Sequence, residues 1–159
     1  MKALKIRHIG LLVRDIEKSM KFYAGIGSRK TPANILKIMT KMAEYLDIQK
    51  YILRSGAASG ADQAFENGTS NKEIYLPQHT TDEAIELASQ IHPAWNRCGD
   101  YDKKLHGINV QIVLGKDLIS PSSFVICWTP NGKKVGGTSL GIRVAEKHNI
   151  PVYNLFDMC

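Results

Sequence analysis

Short apolar runs alternate with amphipathic stretches along most of this chain. Five runs have the length and composition of β-strands: 21–26, 51–53, 73–76, 124–128 and 152–155. The fourth, FVICW, is apolar throughout, which is typical of a strand buried on both faces. Helical spacing predicts five helices: 32–46, 60–67, 81–91, 105–114 and 139–147. The third helix is predicted to begin with a capping box formed by Thr80 and Glu83. This alternation predicts an α/β fold, a Rossmann-like three-layer sandwich with a mainly parallel five-stranded sheet.

The first 19 residues do not fit this alternation. Residues 6–13 have the pattern of a further strand, and a helix begun at Asp15 would run into the strand that starts at Lys21. Local conflicts of this kind argue against a single fold unit. We therefore divide the chain into an N-terminal extension or fusion segment, 1–19, and one domain, 20–159.

The composition suits a globular domain in a reducing compartment. With 159 residues, 43% of them hydrophobic, the chain can bury a core without a disulfide or metal staple. No run approaches the ~20 apolar residues of a membrane span, and the start lacks a signal-peptide cleavage site. Cys98, Cys127 and Cys159 are irregularly spaced, so we predict free thiols rather than disulfides or a zinc site. We expect a cytoplasmic protein with no membrane partner, no cofactor and no metal.

The net charge of +6 is compatible with a nucleic-acid partner but is not sufficient evidence for one. Residues 1–19 contain five basic and two acidic side chains, so they contribute half of the excess. No Lys/Arg run is longer than two residues. The charge is therefore compatible with phosphate ligands but does not by itself indicate a polynucleotide groove.

Three glycine-rich loops follow predicted strands, at the edge where open parallel sheets bind ligands. In the first loop, Gly27 permits a close backbone approach, Ser28 offers a hydroxyl, and Arg29 can hold a phosphate with two hydrogen bonds. The third loop opens the last helix with Gly136, Gly137 and Thr138. A helix N-terminus with small residues favours an anion because its amides and dipole point at it.

The second loop places small residues before another helix N-terminus: Ser55, Gly56 and Gly60, followed by Asp62. Asp62 is either a cap of that helix or an acceptor for a ribose hydroxyl. Trp128, at the end of the buried fourth strand, is a candidate for stacking on a base. The three loops together predict a phosphorylated, nucleotide-like ligand.

These loops resemble those of the SLOG superfamily, which includes DprA-like proteins, molybdenum-cofactor carriers and the LOG phosphoribohydrolases. GSR follows the first strand, SGAASGAD the second, and GGT opens the last helix. With HPAW, LHGINVQIVLGKDL and FVICWTPNGK, the pattern over residues 20–156 looks most like small DprA-like proteins of phages and prophages. The resemblance implies a Rossmann-like fold in which the ligand's phosphate or sugar contacts these residues: Ser28, Arg29, Ser55, Gly56, Gly60 and Asp62.

The chain departs from the LOG pattern at one glutamate. In the LOG motif PGGxGTxxE, the glutamate takes part in cleaving the base from ribose phosphate. The matching stretch here is VGGTSLGIR, which has no acidic residue at that spacing and carries Arg143 on the helix instead. Phosphoribohydrolase activity is therefore in doubt, and whether the protein is an enzyme stays open.

The N-terminal segment resembles a different family. IRHIGLLVRDIEKSMKFY looks like the opening strand and helix of the glyoxalase/vicinal-oxygen-chelate family, in which the histidine matching His8 often binds metal. A metal site needs three or more protein ligands, and the partner ligands of that family are not matched. We therefore do not predict a metal site at His8.

Three functional hypotheses follow. The leading one is binding of a nucleotide or phosphorylated nucleotide derivative at the carboxyl edge of the sheet, with N-glycosidic hydrolysis left open. The alternative is single-stranded DNA binding in phage DNA processing or recombination. The third is a glyoxalase-type metalloenzyme. The resemblance also suggests a homodimer as a hypothesis.

Overall fold

The computed structural model describes residues 20–158. Within that range the strands are β1 (Lys21–Gly25), β2 (Tyr51–Ser55), β3 (Lys72–Ile74), β4 (Val125–Cys127) and β5 (Val152–Asn154). The α-helices are α1 (Ala33–Ile48), α2 (Ala61–Asn67), α3 (Asp82–Ile91), α4 (Asp100–Leu114), α5 (Thr138–Lys147) and α6 (Leu155–Met158). Short 3₁₀ turns lie at Pro77–His79, Trp95–Arg97 and Pro130–Gly132.

The five strands form one parallel sheet in the order β3-β2-β1-β4-β5. The predicted α/β sandwich with a mainly parallel five-stranded sheet is therefore confirmed. β1 lies at the centre, where Ala24 is flanked by Arg54 of β2 and Val125 of β4. The chain moves outward from β1 to β3 and then returns to the other side of β1, so the strand order reverses between β1 and β4. Ligands of open α/β sheets bind outside the carboxyl ends of the strands at such a reversal.

Helices cover both faces of the sheet, and a separate apolar core lies under each layer. On one face α3, α4 and α5 enclose a core that includes the fully buried Val113. On the other face α1 and α2 pack around Phe65, which is also fully buried. β4 serves both cores, since Val125 and Cys127 belong to the first and Ile126 to the second. The unbroken apolar run in the sequence is thus explained by burial on both faces.

One helix begins well before its predicted start, and another is capped by a different residue from the one predicted. α4 starts at Asp100, five residues before the predicted start. The carboxylates in its first turn stabilise the helix because they interact favourably with the positive end of its dipole. The predicted capping box is wrong, because α3 is capped by Thr81, whose Oγ1 accepts from the Ala84 amide at 3.2 Å. Thr80 instead donates its hydroxyl to the Lys104 carbonyl of α4 at 3.0 Å. Packing against α4 thus selects which of two adjacent threonines caps the helix.

Residues 1–19 and Cys159 lie outside the described range. The predictions for the N-terminal extension, for a helix from Asp15 and for His8 concern those residues and stay predictions. Among residues 20–158, no helix combines the length and the apolar character needed to cross a bilayer.

Candidate ligand-binding site

The three glycine-rich loops meet at the carboxyl edge of the sheet. They follow β1, β2 and β4, next to the point where the strand order reverses. Together with α4 they enclose a cleft of about 440 Å³, a size that suits a nucleotide-sized ligand. Predicted site residues from all three loops line this cleft: Gly27, Ser28, Arg29, Gly56, Asp62, Gly136, Gly137 and Thr138.

Hydrogen bonds hold the loop after β1 in place. The Ser28 amide donates to the Trp128 carbonyl at 3.2 Å, which ties this loop to the end of β4. The Ser28 carbonyl accepts from Thr31 Oγ1 at 2.6 Å, and Ser28 Oγ accepts from the Lys30 amide at 3.0 Å. A hydroxyl oxygen that accepts from an amide still has its own hydrogen to donate, so Ser28 can bond an anion in the cleft.

Two cations stand at the mouth of the cleft. Arg29 and Lys30 are both exposed, and both line the cleft. Neither forms an ion pair with a carboxylate of residues 20–158. The ion pairs in that range are Arg54 with Glu73 and Lys134 with Glu146. The planar guanidinium of Arg29 matches a phosphate with two parallel hydrogen bonds, whereas Lys30 acts as a point charge. This arrangement attracts an anion.

Gly27 and Gly60 allow the first two loops to approach more closely than side chains would permit. A Cβ on Gly27 would lie 2.6 Å from the Cβ of Ala61 at the start of α2. A Cβ on Gly60 would lie 2.9 Å from Arg29 Cα, and the φ of Gly60, +88°, belongs to the left-handed region that favours glycine. Gly60 therefore acts by packing the two loops together rather than by lining the cleft.

Asp62 brings a buried carboxyl to the cleft, with a relative exposure of 7%. Its Oδ2 accepts from the Ala58 amide at 3.3 Å, whereas the N-cap of α2 is Gly60, so the helix-cap interpretation of Asp62 is wrong. Burial raises the pKa of Asp62 to about 7, against opposing contributions from the amides of Ala58 and Gly56 and the charge of Arg29. A carboxyl that titrates near neutrality can give or take a proton in the cleft.

The loop before α5 presents backbone to the cleft. α5 begins after Gly137 with no capping side chain, so no side chain competes with a ligand for the amides of the first turn. A Cβ at Gly136 or Gly137 would meet no atom within 4 Å, so the space beside both residues is open. Asn109 Nδ2 donates to the Gly137 carbonyl at 3.0 Å and thereby joins this loop to α4.

α4 supplies a further wall of the cleft, which the sequence interpretation missed. Asp102, Leu105 and Asn109 line the cleft and are three and four residues apart, on one face of the helix. Ile108 extends the apolar part of this wall. The spacing is visible in the sequence, but it becomes informative only when the helix is known to start at Asp100 rather than at Leu105.

Ser55 and Trp128, both predicted to touch the ligand, do not line the cleft. Ser55 is fully buried, and its Oγ donates to the Gly25 carbonyl at 2.8 Å, which joins β2 to β1. The Trp128 ring lies edge-on to Phe156 with the ring centroids 6.4 Å apart, while its carbonyl holds Ser28. Both residues therefore support the loops, and ligand contact by either side chain stays a prediction.

No protein-family model matches the sequence, and no curated protein matches it. The structure is similar to that of DNA processing protein A from Helicobacter pylori, a protein that binds single-stranded DNA, with a TM-score of 0.54 and 17% sequence identity. The similarity covers 84% of this chain and 63% of the solved one, so this chain spans less than two thirds of that protein's chain. At this identity the similarity shows the fold alone. It agrees with the DprA-like part of the sequence resemblance, while the SLOG, phage and glyoxalase parts stay predictions.

Proposed function

We propose that this protein binds single-stranded DNA by holding a phosphate of the strand in the cleft. One observation carries the proposal: three loops from separate parts of the chain converge on one cleft, and Arg29 at its mouth has no carboxylate partner within the described range. The Arg29 guanidinium and the Ser28 hydroxyl would bond one side of the phosphate. The amides at the start of α5 would face it from the other side.

A strand is favoured over a single nucleotide by two further features. The fold is similar to that of a protein that binds single-stranded DNA. The cleft is also open at its mouth, where Lys30 is exposed, and Lys133 is exposed in the loop that leads to Gly136. These lysines could neutralise neighbouring phosphates of a strand, since phosphate contacts dominate the affinity of nucleic-acid binding.

A second candidate function is cleavage of the base from a nucleotide, and it is favoured by Asp62. A buried carboxyl with a pKa of about 7 suits proton transfer to a leaving base at neutral pH. No acidic residue stands at the spacing of the LOG glutamate, so Asp62, a buried carboxyl of the cleft, would protonate the leaving base while water attacks the ribose carbon that the base leaves. Release of free base from nucleoside monophosphates, abolished by Asp62→Asn, would support this candidate.

The substitution Arg29→Lys tests the proposal. We expect unchanged folding and a roughly 10- to 100-fold loss of affinity for a labelled oligodeoxythymidylate, because lysine keeps the charge but cannot make two parallel hydrogen bonds. The measurement is fluorescence anisotropy over a salt series. The slope of log affinity against log salt should be the same in Arg29→Lys and smaller by about 0.7 in Arg29→Gln, which loses one phosphate contact.

Two control variants separate this site from other cations. Arg97→Lys changes an exposed arginine outside the cleft and should leave the affinity unchanged. Replacing Lys2, Lys5 and Arg7 together by glutamine removes charge from residues 1–19 at constant chain length. If binding disappears in that triple variant and survives in Arg29→Gln, the cleft is not the DNA site. If a mononucleotide competes as well as the oligonucleotide does, the ligand is a single nucleotide rather than a strand, and the release of free base then decides the second candidate. If neither binds, both candidates are wrong.

A further inference from the structure

His92, Cys98 and His106 form a second cluster of reactive side chains, which we call the His-Cys-His cluster. His92 ends α3, Cys98 follows the 3₁₀ turn Trp95–Arg97, and His106 lies in the middle of α4. Each side chain offers one possible ligand atom, and these three atoms lie within 4.8 Å of one another. The imidazole centroids are 4.4 Å apart, and Cys98 Sγ lies 3.8 Å from His92 Nε2.

One member of the cluster has a buried nitrogen without a partner. His106 Nδ1 is inaccessible to solvent and makes no hydrogen bond to any of residues 20–158. A buried polar atom left without a partner costs roughly 1–3 kcal/mol, so such atoms are rare in folded proteins. Cys98, half-buried beside it, is a free thiol. The cluster thus places a borderline donor, His92, and a soft donor, Cys98, close to a histidine that has a buried nitrogen without a partner.

We propose that the His-Cys-His cluster binds one zinc ion, with water as the fourth ligand. Zinc takes tetrahedral sets of imidazole nitrogen and cysteine sulfur, and three protein ligands with a water is one of its common arrangements. Zinc–sulfur and zinc–nitrogen distances of about 2.3 and 2.0–2.1 Å place such ligand atoms roughly 3.3–3.6 Å apart. The ligand atoms, which lie within 4.8 Å of one another, therefore need to move closer by about 1.2–1.5 Å at most.

One hydrogen bond competes with the metal. The Ala94 amide donates to His92 Nδ1 at 3.0 Å, so the imidazole has to turn or to exchange this bond for the metal. We therefore expect a weaker affinity than that of a fully preformed structural zinc site. Cys98 makes no comparably short bond, since its Sγ reaches its carbonyl acceptor, Ala94, only at 3.8 Å. His106 Nδ1 makes no hydrogen bond within residues 20–158.

The zinc ion would connect the segment 92–98 to α4. On α4, His106 is adjacent in sequence to Leu105, and Leu105 and Asn109 line the cleft. A metal that joins the end of α3, the 3₁₀ turn and α4 would thus restrict the movement of α4, which forms one wall of the cleft. This inference concerns metal binding and does not depend on which ligand the cleft takes.

The full chain, treated with a chelator and then dialysed, tests the proposal. Zinc titration against a chromophoric competitor should give one ion per chain, and zinc should raise the melting temperature. Cobalt, used as a spectroscopic substitute, should give a thiolate-to-metal charge-transfer band. Cys98→Ser should abolish this band. Cys98→Ser and His106→Gln should each weaken zinc by more than the roughly 10- to 100-fold typical of losing an outer-shell hydrogen bond to a metal ligand.

Three control variants test other histidine and cysteine side chains of the protein. His148→Gln changes an exposed histidine of the described range, while His8→Gln and Cys159→Ser change residues outside it. All three should retain the cobalt band and the zinc affinity. A measurement on the unchanged protein covers the case in which a variant misfolds: zinc should slow alkylation of Cys98, read by mass spectrometry. Zinc binding that survives Cys98→Ser unchanged, or alkylation of Cys98 that zinc does not slow, would overturn the proposal.

Discussion

Arg29 and Arg54 belong to neighbouring segments of the sheet, yet their surroundings are opposite. Arg29 follows β1, is exposed at the mouth of the cleft, and has no carboxylate partner among residues 20–158. Arg54 lies within β2 and is only 3% exposed. One guanidinium faces solvent, and the other is surrounded by protein.

Other parts of the protein hold the Arg54 guanidinium, although its buried Nε makes an ion pair without a hydrogen bond. Its Nη1 donates to the Ser120 carbonyl at 2.6 Å and to Ser122 Oγ at 3.3 Å. Its Nε lies 3.5 Å from a carboxylate oxygen of Glu73, the residue directly beside it on β3. The guanidinium carbon also lies 3.8 Å from the centre of the Phe22 ring. Every interaction of Arg54 thus joins β2 to another part of the fold.

The difference shows that residue type alone does not assign a role to a charge. A guanidinium whose hydrogen bonds end on the protein stabilises the fold, because removing it leaves buried acceptors without a donor. A guanidinium without a partner at the carboxyl edge of a parallel sheet is available to a ligand. If the roles are separate, substitution of Arg54 lowers stability, whereas substitution of Arg29 lowers ligand affinity.

The largest expected effect is loss of stability in Arg54→Met. We expect the free energy of unfolding to fall by about 3 kcal/mol, because Ser120 and Ser122 lose a buried donor while the half-exposed Glu73 can turn to water. Urea unfolding at neutral pH measures this. The matched variant Arg29→Met should change stability by no more than about 0.5 kcal/mol. Equal losses in the two variants would show that both arginines hold the fold.

The next largest expected effect is a difference in stability between alanine substitutions at two glycines of the cleft. Gly27→Ala should destabilise by about 2–3 kcal/mol, because its Cβ would lie 2.6 Å from Ala61 Cβ and 3.2 Å from the Trp128 carbonyl oxygen. Gly137→Ala places its Cβ in open space on helical backbone and should be neutral within about 0.5 kcal/mol. In the proposed DNA site, only Gly137→Ala should lower ligand affinity without lowering the melting temperature. Thermal unfolding gives the melting temperature and fluorescence anisotropy gives the affinity, both measured on the same samples.

The smallest of these stability effects is the pH dependence due to Asp62. Its pKa rises to about 7 on folding, so the folded protein binds this proton more tightly than the unfolded chain does. The stability it confers is complete below the unfolded pKa of about 4 and is lost as pH rises through 7. Between pH 5 and 8 the wild type should lose roughly 2 kcal/mol that Asp62→Asn retains. Parallel pH profiles in the two proteins would contradict the burial of this carboxyl.

The strands and the glycine-rich loops could be predicted because their signals are local. An apolar run such as 124–128 must be buried wherever it goes, and alternating strands and helices admit few packings other than a parallel sandwich. The loop after β1 could be recognised because Gly27, Ser28 and Arg29 are adjacent in the chain. Of the eleven residues predicted from these local signals to bind the ligand, eight line the cleft.

Other features could not be predicted because they depend on contacts between distant segments. The contact between the rings of Trp128 and Phe156 of α6 is one example. The predicted capping of α3 failed because Thr80 donates to Lys104 of α4, which lies 24 residues farther along the chain. The pKa of Asp62 is raised mainly by burial, which the sequence around it does not reveal, and less by the nearby charge of Glu66.

The sequence by itself determined the fold class and the positions of the three loops, because hydrophobic period and glycine content act over a few residues. Only the tertiary structure decided that the loops share one cleft and that α4 closes it. It also decided that, among residues 20–158, Arg54 has a carboxylate partner and Arg29 has none. It also decided that His92, Cys98 and His106 meet, although their spacing matches no metal motif. These outcomes depend on which distant surfaces pack together, and packing brings side chains into contact without regard to their separation along the chain.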